Sequence, residues 1–422
     1  MADTTSRGPT APAASRPRLS SGAAFYLEAS IIVAFLAASI APTPLYAVYQ
    51  ARWGFTAVTI TIVFGIYALA VLAALLSVGS LSDYVGRRPV LLAAIALQAA
   101  ALVVFAAAGG LGELVAGRLL QGLATGLAAG AVGAGLLDLD REKGTLANAV
   151  APVTGTATGA LVSGVLVQYL PAPTRLVYLV FLAVVVLQAV GVVVMPDTAH
   201  RRPGALASLR PRFDLPASVR RPMLVAAPAL VAAWALAAFY GSLGPSLVRL
   251  VSSSDSVALG GLGLFLIAGT GAVSVLVLRN AAPSTLALVG TACLVVGVAT
   301  TLVATATRSE AAFFFGAAVA GVGFAGGFQG AIRTVLPLAD PEHRAGVLSV
   351  IYVVSYVALG VPAIGAGFLV VQTGSLEGTA RGYGMAVIAL AAVAFVGLVR
   401  SARTGSRPKA SPAQPCPYPC IA

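Results

Sequence analysis

The sequence predicts an all-α membrane protein: twelve transmembrane helices in two six-helix bundles, with both termini on the cytoplasmic side. Three observations predict it. The chain is 59% hydrophobic and only 9% charged, with a mean hydropathy of +0.94, which excludes a domain with an ordinary soluble surface. Its apolar residues fall into stretches near the ~20 needed to cross a bilayer core as a helix. Its basic residues are distributed unevenly between the two sets of loops.

In order along the chain, the spans are expected near 24–48, 57–80, 89–109, 112–137, 146–169, 175–195, 223–248, 257–278, 284–305, 311–335, 346–371 and 382–400. Most connections are a few residues long, which makes neighbouring helices antiparallel. The first apolar run is too long for the core of a signal peptide, and eleven more spans follow, so it reads as a retained signal-anchor. Segments 1–22 and 401–422 are Pro-rich and read as disordered cytoplasmic tails. The stretch 196–222, rich in Pro, Arg and Ser, reads as a cytoplasmic linker between bundles at 23–195 and 223–400.

The net charge of +12 raises the question of nucleic acid, but its placement answers it. With the N-terminus inside, twenty of the 26 basic residues fall in cytoplasmic segments. The other six are Arg52, Arg118, Arg175, Arg249, Arg308 and Arg381. This is the positive-inside asymmetry, so the basic excess is topological and no nucleic-acid partner is expected. The abundance of Arg over Lys, with Ala, Gly and Val, suggests a high-GC bacterial genome and hence a bacterial plasma (inner) membrane.

An internal echo supports two bundles. Gly126, Gly130, Asp140 and Glu142 recur as Gly326, Gly330, Asp340 and Glu342 at an offset of about 200 residues. Parallel repeats of this kind rock about a midplane site in alternating access.

The chemistry-bearing residues are few. Gly79-Ser80-Leu81-Ser82-Asp83-Tyr84-Val85-Gly86-Arg87-Arg88-Pro89 forms a polar hinge between the second and third spans. Asp83 suits a helix N-terminus, Gly79 and Gly86 permit close approach and a tight turn, and Arg87 and Arg88 can reach Asp138 or Glu142. Arg118 lies inside the fourth span, where an arginine costs roughly 2.5–3.5 kcal/mol and wants a wet cavity or a partner. With Gln121 and Thr125 it makes a polar stripe at i, i+3, i+7; snorkelling to the outer interface beside Glu113 is the competing reading. Glu28 lies near the cytoplasmic start of the first span. A carboxyl in apolar surroundings suits a proton carrier, and an interfacial acid is the equal alternative.

Gly155, Gly159 and Gly164 in the fifth span read as a helix-packing ridge. Pro42, Pro44, Pro152, Pro228 and Pro362 can kink their spans. Tyr46, Tyr49, Trp234, Tyr240, Gln329, Tyr352 and Tyr356 are mid-span polar or aromatic groups that can line a cavity or anchor at the interface. Their mild character favours an amphipathic organic molecule over a sugar. Cys293 reads as a packing residue, and Cys416 and Cys420 as an idle pair in the tail. No metal site, no cofactor and no disulfide framework is expected. His200 and His343 fall in basic loops, and no HExxH or GxSxG pattern appears, which counts against a polytopic membrane enzyme.

The hinge matches G-x-L-x-D-x-x-G-R-R, and the chain therefore resembles the major facilitator superfamily, from about residue 24 to 400. Arg118-Leu119-Leu120-Gln121-Gly122 is similar to that family's R-x-x-Q-G motif. The segment from Gly155 to Gly164 resembles its antiporter motif G-x-x-x-G-P-x-x-G-G, with Ala160 and Ser163 replacing Pro and Gly. The resemblance, closest to the bacterial drug/proton antiporter branch (multidrug and arabinose efflux-like), implies a secondary transporter, with a small-molecule substrate, a proton as coupling ion and the bilayer as partners. It further implies gating by Gly79, Asp83, Gly86, Arg87, Arg88 and Asp138, and coupling through Arg118, with Glu28 the first candidate to carry the proton. A monomer is expected. Proton-coupled efflux is the first expectation; uptake or facilitated diffusion of a metabolite is the alternative, and a membrane enzyme without transport the alternative of another class.

Overall fold

The computed structural model describes residues 19–405, apart from 200, 212 and 255. Most of the two expected tails, with His200, Cys416 and Cys420, lies outside the described residues.

Among the described residues, twelve helices are long and apolar enough to cross a membrane. The first half starts with α1 (Ser21–Ile40), which breaks at Ala41 and resumes as α2 (Pro42–Trp53). It continues with α3 (Ala57–Val78), the hinge turn α4 (Ser82–Val85), α5 (Arg87–Ala107), α6 (Leu111–Leu139), α7 (Arg141–Tyr169) and α8 (Pro173–Val194). After a short linker helix, α9 (Ala205–Ser208), the second half follows the same plan. Its α10 (Ala217–Ser242) is extended by α11 (Gly244–Ser252), and α12 (Val257–Val277), α13 (Pro283–Thr307), α14 (Glu310–Val335), α15 (Arg344–Thr373) and α16 (Leu376–Gly405) complete it.

Helix starts are set by local chemistry. Ser20, Thr56, Asp140, Ser256 and Ser309 each accept the backbone N–H three residues on, satisfying donors that a helix leaves open at its first turn. The Ser20 cap starts the first span at Ser21, ahead of the expected 24. The seventh span begins at Ala217, inside the segment expected to be linker, and carries Pro222 in its interior, where the Ser218 carbonyl loses its backbone donor. Large apolar side chains such as Leu187 and Val277, each 73% exposed, stand on the outer faces of the bundles. In water such surface is a liability; in a bilayer it is the lipid face.

Small residues set the approach of the helices. A Cβ at Gly159 would lie 2.6 Å from Ala37 Cα, and one at Gly155 3.0 Å from Val33 Cα, so α7 packs backbone to backbone on α1. Gly126 and Gly130 bring α6 onto α3, whereas Gly326 and Gly330 bring α14 onto α13. The repeated glycines therefore serve packing in both halves, but against different neighbours.

The two halves meet at the end of the molecule away from the Gly79–Pro89 loop. There α7 crosses α12: Gly164 faces Ala258, and a Cβ at Gly261 would come within 2.6 Å of the Ala160 carbonyl oxygen. Val257 N–H donates to Gln168 Oε1 across 2.8 Å. Alongside, α3 crosses α15, with Gly367 against Thr61 and Gly65 against Ile364. At the loop end the halves separate around a large cavity.

Candidate functional site

The loop-end cavity has a volume of about 1630 Å³ and is lined by both halves. From the first half come Ile32, Leu75, Gly79, Asp83, Arg87, Ala129, Val132, Gly133, Asp138 and Asn148, among others. From the second come Phe328, Gln329, Ile332, Arg333, Leu348, Ser349 and Tyr352. A smaller cavity of about 470 Å³ lies at the far end, between Pro44, Val48 and Arg52 of α2 and Pro245 and Arg249 of α11.

The hinge is built around Arg87, whose side chain is 7% exposed. Its guanidinium pairs with Asp83, bonds Asp138 Oδ2 at 3.1 Å and donates to Ser82 Oγ at 2.7 Å. Gly86 turns the chain with φ of +106°, a left-handed conformation that a side chain resists. That turn aims the Arg87 N–H at Asp197 Oδ1, 2.8 Å away, so a carboxylate caps the N-terminus of α5. Asp197 was not singled out in the sequence; its only signal there is an acid just past the sixth span. Arg88 makes no ion pair among the described residues, and Glu142, which lines the cavity, does not pair with Arg87.

Arg118 is 1% exposed and does not snorkel towards Glu113. Pro42 lacks an N–H, so the carbonyl of Ala38 has no donor four residues on and keeps only the Ala41 N–H, at 3.3 Å. Gln121 Nε2 supplies one at 3.0 Å, and Arg118 Nη1 bonds the next carbonyl, Ser39, at 2.6 Å. Ser163 Oγ, where the family pattern has glycine, donates to the Ala41 carbonyl at 2.7 Å. Arg118 also donates to the Tyr46 hydroxyl and to Gln121 Oε1, and lies 5.3–6.0 Å from the ring centroids of Tyr46, Tyr67 and Phe105. Thr125 Oγ1 turns back to the Gln121 carbonyl. The polar stripe thus faces the break in the first span.

Of the side chains expected at a cavity, Gln329 and Tyr352 line the large one. Tyr46, Gln121 and Thr125 are packed around Arg118 and do not line it in this conformation. Tyr49 bonds Tyr178 (3.0 Å) and Tyr240 bonds Thr301 (2.9 Å), both in buried far-end packing. Trp234 and Tyr356 stand next to the cavity wall, with Trp234 5.4 Å from Phe328 and 5.2 Å from Tyr356 between ring centroids. Glu28 is fully buried against Gly135, and neither of its carboxyl oxygens has a hydrogen-bond partner. It is therefore enclosed by protein on all sides. The charged groups that act on it are Arg87, Asp138 and Asp197, those of the hinge. No group of three or more potential metal-ligating residues occurs among the described residues.

Twelve spans in two bundles, parted at one end around a polar-lined cavity and joined at the other by small residues, define a membrane transporter. Residues 27–361 match the model of the Major Facilitator Superfamily, and the chain belongs to that family. No curated protein matches it in sequence. Among solved structures it is similar to the nucleoside transporter NupG, crystallised as a mutant, with a TM-score of 0.67 and 11% identity over 90% of this chain and 99% of that one. It is also similar to the human organic anion transporter MFSD10 (TETRAN), at TM-score 0.64 and 18% identity over 90% and 99% of the chains. A bacterial homologue of the human lysosomal transporter Spinster, inward-facing and unoccupied, gives a TM-score of 0.72 and 11% identity over 91% and 98%. At these identities the likeness is one of fold.

Proposed function

We propose that this protein is a proton-coupled secondary transporter that exports a small organic molecule across a bacterial plasma membrane by alternating access. The observation that carries the reading is the asymmetry of the interface between halves: a cavity of about 1630 Å³ at the loop end, against backbone-close contacts at the far end. The basic loops put the loop end and both termini in the cytoplasm, which makes this the inward-open state. Rocking the halves about the far-end contacts would close the hinge side and open the other. In that cycle Asp83, Arg87 and Asp138 act at the cytoplasmic gate. Glu28, buried without a donor beside them, is the proton carrier, and Arg118 couples movement of the first span to the fourth. The unit is a monomer, since each chain holds both halves of the cavity.

Cysteine accessibility tests the cycle without knowledge of the cargo. In a background lacking the three native cysteines, Ser349→Cys reports the loop-end cavity and Thr61→Cys, fully buried at the far seam, reports the opposite side. Alternating access predicts that a membrane-impermeant maleimide labels both positions, from opposite faces, and that cross-linking the cavity mouth raises labelling at Thr61→Cys. Labelling of Thr61→Cys that never occurs under any condition rejects the cycle.

A further inference from the structure

The walls of the loop-end cavity differ in charge. All three acids that line it, Asp83, Asp138 and Glu142, come from the first half, where Asp83 and Asp138 neutralise Arg87. The second half contributes no carboxylate to the lining. Its α14 presents Phe328, Gln329, Ile332 and Arg333.

Arg333 is half-buried, and its Nη1 reaches the carbonyls of Leu278 (3.5 Å) and Arg279 (2.9 Å) past the end of α12. Among the described residues no carboxylate pairs with it, and its Nε and Nη2 make no hydrogen bond. One turn deeper, the Gln329 amide makes no side-chain hydrogen bond. Behind the wall, Trp234 packs on Phe328 with 5.4 Å between ring centroids. Two side chains with donors to spare, one turn apart on α14, thus line the same wall of the cavity.

Membrane orientation accounts for the exposed rim cations Arg202, Arg210 and Arg279. Arg333 differs from these in being half-buried, in the last turn of α14. At the repeat offset of 200, Arg333 and Gln329 correspond to Gly133 and Ala129, which also line the cavity. Donors on one wall therefore face small side chains on the other, with room between them. The remaining lining, including Ile32, Leu75, Val132, Phe328 and Tyr352, is apolar or aromatic.

Taking this cavity as the transport site, as the proposed function holds, we propose that its cargo is an amphipathic organic anion. Its acidic head, a carboxylate or sulfonate, takes charge-assisted hydrogen bonds from Arg333. Gln329 supplies a further donor, and the apolar body lies against Phe328 and Tyr352.

Two probes that differ in one group test this directly: 8-anilino-1-naphthalenesulfonate and its neutral counterpart N-phenyl-1-naphthylamine. Each is titrated into the full-length protein in nanodiscs of neutral lipid, with empty nanodiscs as reference. The sulfonated probe is expected to bind more tightly, and to weaken as ionic strength rises. Arg333→Gln, which can still bond the Arg279 carbonyl, should weaken it about tenfold or more, from the loss of a charge-assisted bond. The neutral probe should be unchanged, and Arg333→Lys should retain most of the preference. Equal wild-type affinity for the two probes, a sulfonate affinity insensitive to salt, or an equal loss for both in Arg333→Gln overturns the assignment. The wild-type comparison and its salt dependence need no variant to fold. The cysteine labelling described above uses neither probe, so failure of the cargo assignment is distinguishable from failure of the transport reading.

Discussion

Gln121 donates its amide to the Ala38 carbonyl across 3.0 Å, the carbonyl that Pro42 cannot serve. The fourth span thereby completes the hydrogen bonding of the first at its break. Replacing Gln121 with Leu leaves the Ala38 carbonyl only the 3.3 Å bond from the Ala41 N–H and should destabilise the protein by about 0.5–1.5 kcal/mol. Pro42→Ala restores a backbone donor, so the Pro42→Ala/Gln121→Leu double variant should recover part of that loss. Thermal unfolding of the four proteins in one detergent measures the coupling; strictly additive effects would show that the two residues do not share this carbonyl.

Arg87 is held by two carboxylates whose side chains are 51% (Asp83) and 37% (Asp138) exposed. Either one suffices to keep the buried guanidinium paired. Asp83→Asn or Asp138→Asn alone should therefore cost no more than about 1 kcal/mol and leave expression near normal. The double variant orphans a buried charge and should cost about 3–5 kcal/mol. If Asp83 also gates, its single variant slows substrate flux at normal expression; unchanged flux removes it from the gate.

A side chain at Gly261 meets the backbone of Ala160, which cannot move aside without shifting α7. Gly261→Val should disfavour the sealed far end by about 1–3 kcal/mol. Such a bias changes the ratio of the two states about 5- to 150-fold. Maleimide labelling of Thr61→Cys should rise by a measurable part of that range, and labelling of Ser349→Cys should fall. A rise at both positions would indicate loosened packing in place of a shifted equilibrium.

Glu28→Gln keeps the shape of the side chain and removes its ability to exchange a proton. In proteoliposomes holding a pH-sensitive dye, the variant should abolish substrate-linked proton movement. Labelling at Thr61→Cys and Ser349→Cys should persist. Proton flux equal to that of the unchanged protein would assign coupling to another group.

The twelve spans were legible because hydropathy over ~20 residues reports bilayer crossing whatever the neighbours do. The family was legible because the hinge pattern fixes Gly79, Asp83, Gly86 and Arg87 at set spacing. The direction in which a polar residue faces was harder to read. Arg118, Gln121 and Thr125 do share one helix face, but only the arrangement of α1 against α6 decides that this face meets a broken helix and not the cavity. Pro42 carried half of that information, since a proline within a span announces a carbonyl in need of a donor. Tyr49 and Tyr240 found hydroxyl partners 129 and 61 residues away, which no local pattern encodes. Arg333 reads in sequence as one more cytoplasmic cation, and its place in the cavity wall follows from the packing of α14 alone.

The linker is docked on the first half at three points: Asp197 on the Arg87 N–H, the Arg202 N–H on the Tyr84 carbonyl, and Ser80 Oγ on the Ser208 carbonyl. It is taken up by the second half from Asp214, which pairs with His343 and lies against Gly346, through Ser218, which bonds Leu338. Only residues 209–213 are left between these moorings. The six steps from Ser208 to Asp214 reach at most roughly 22 Å when fully drawn out. The connection between the halves is therefore a short leash, and its length sets an upper bound on how far the loop-end mouth can gape while these moorings hold.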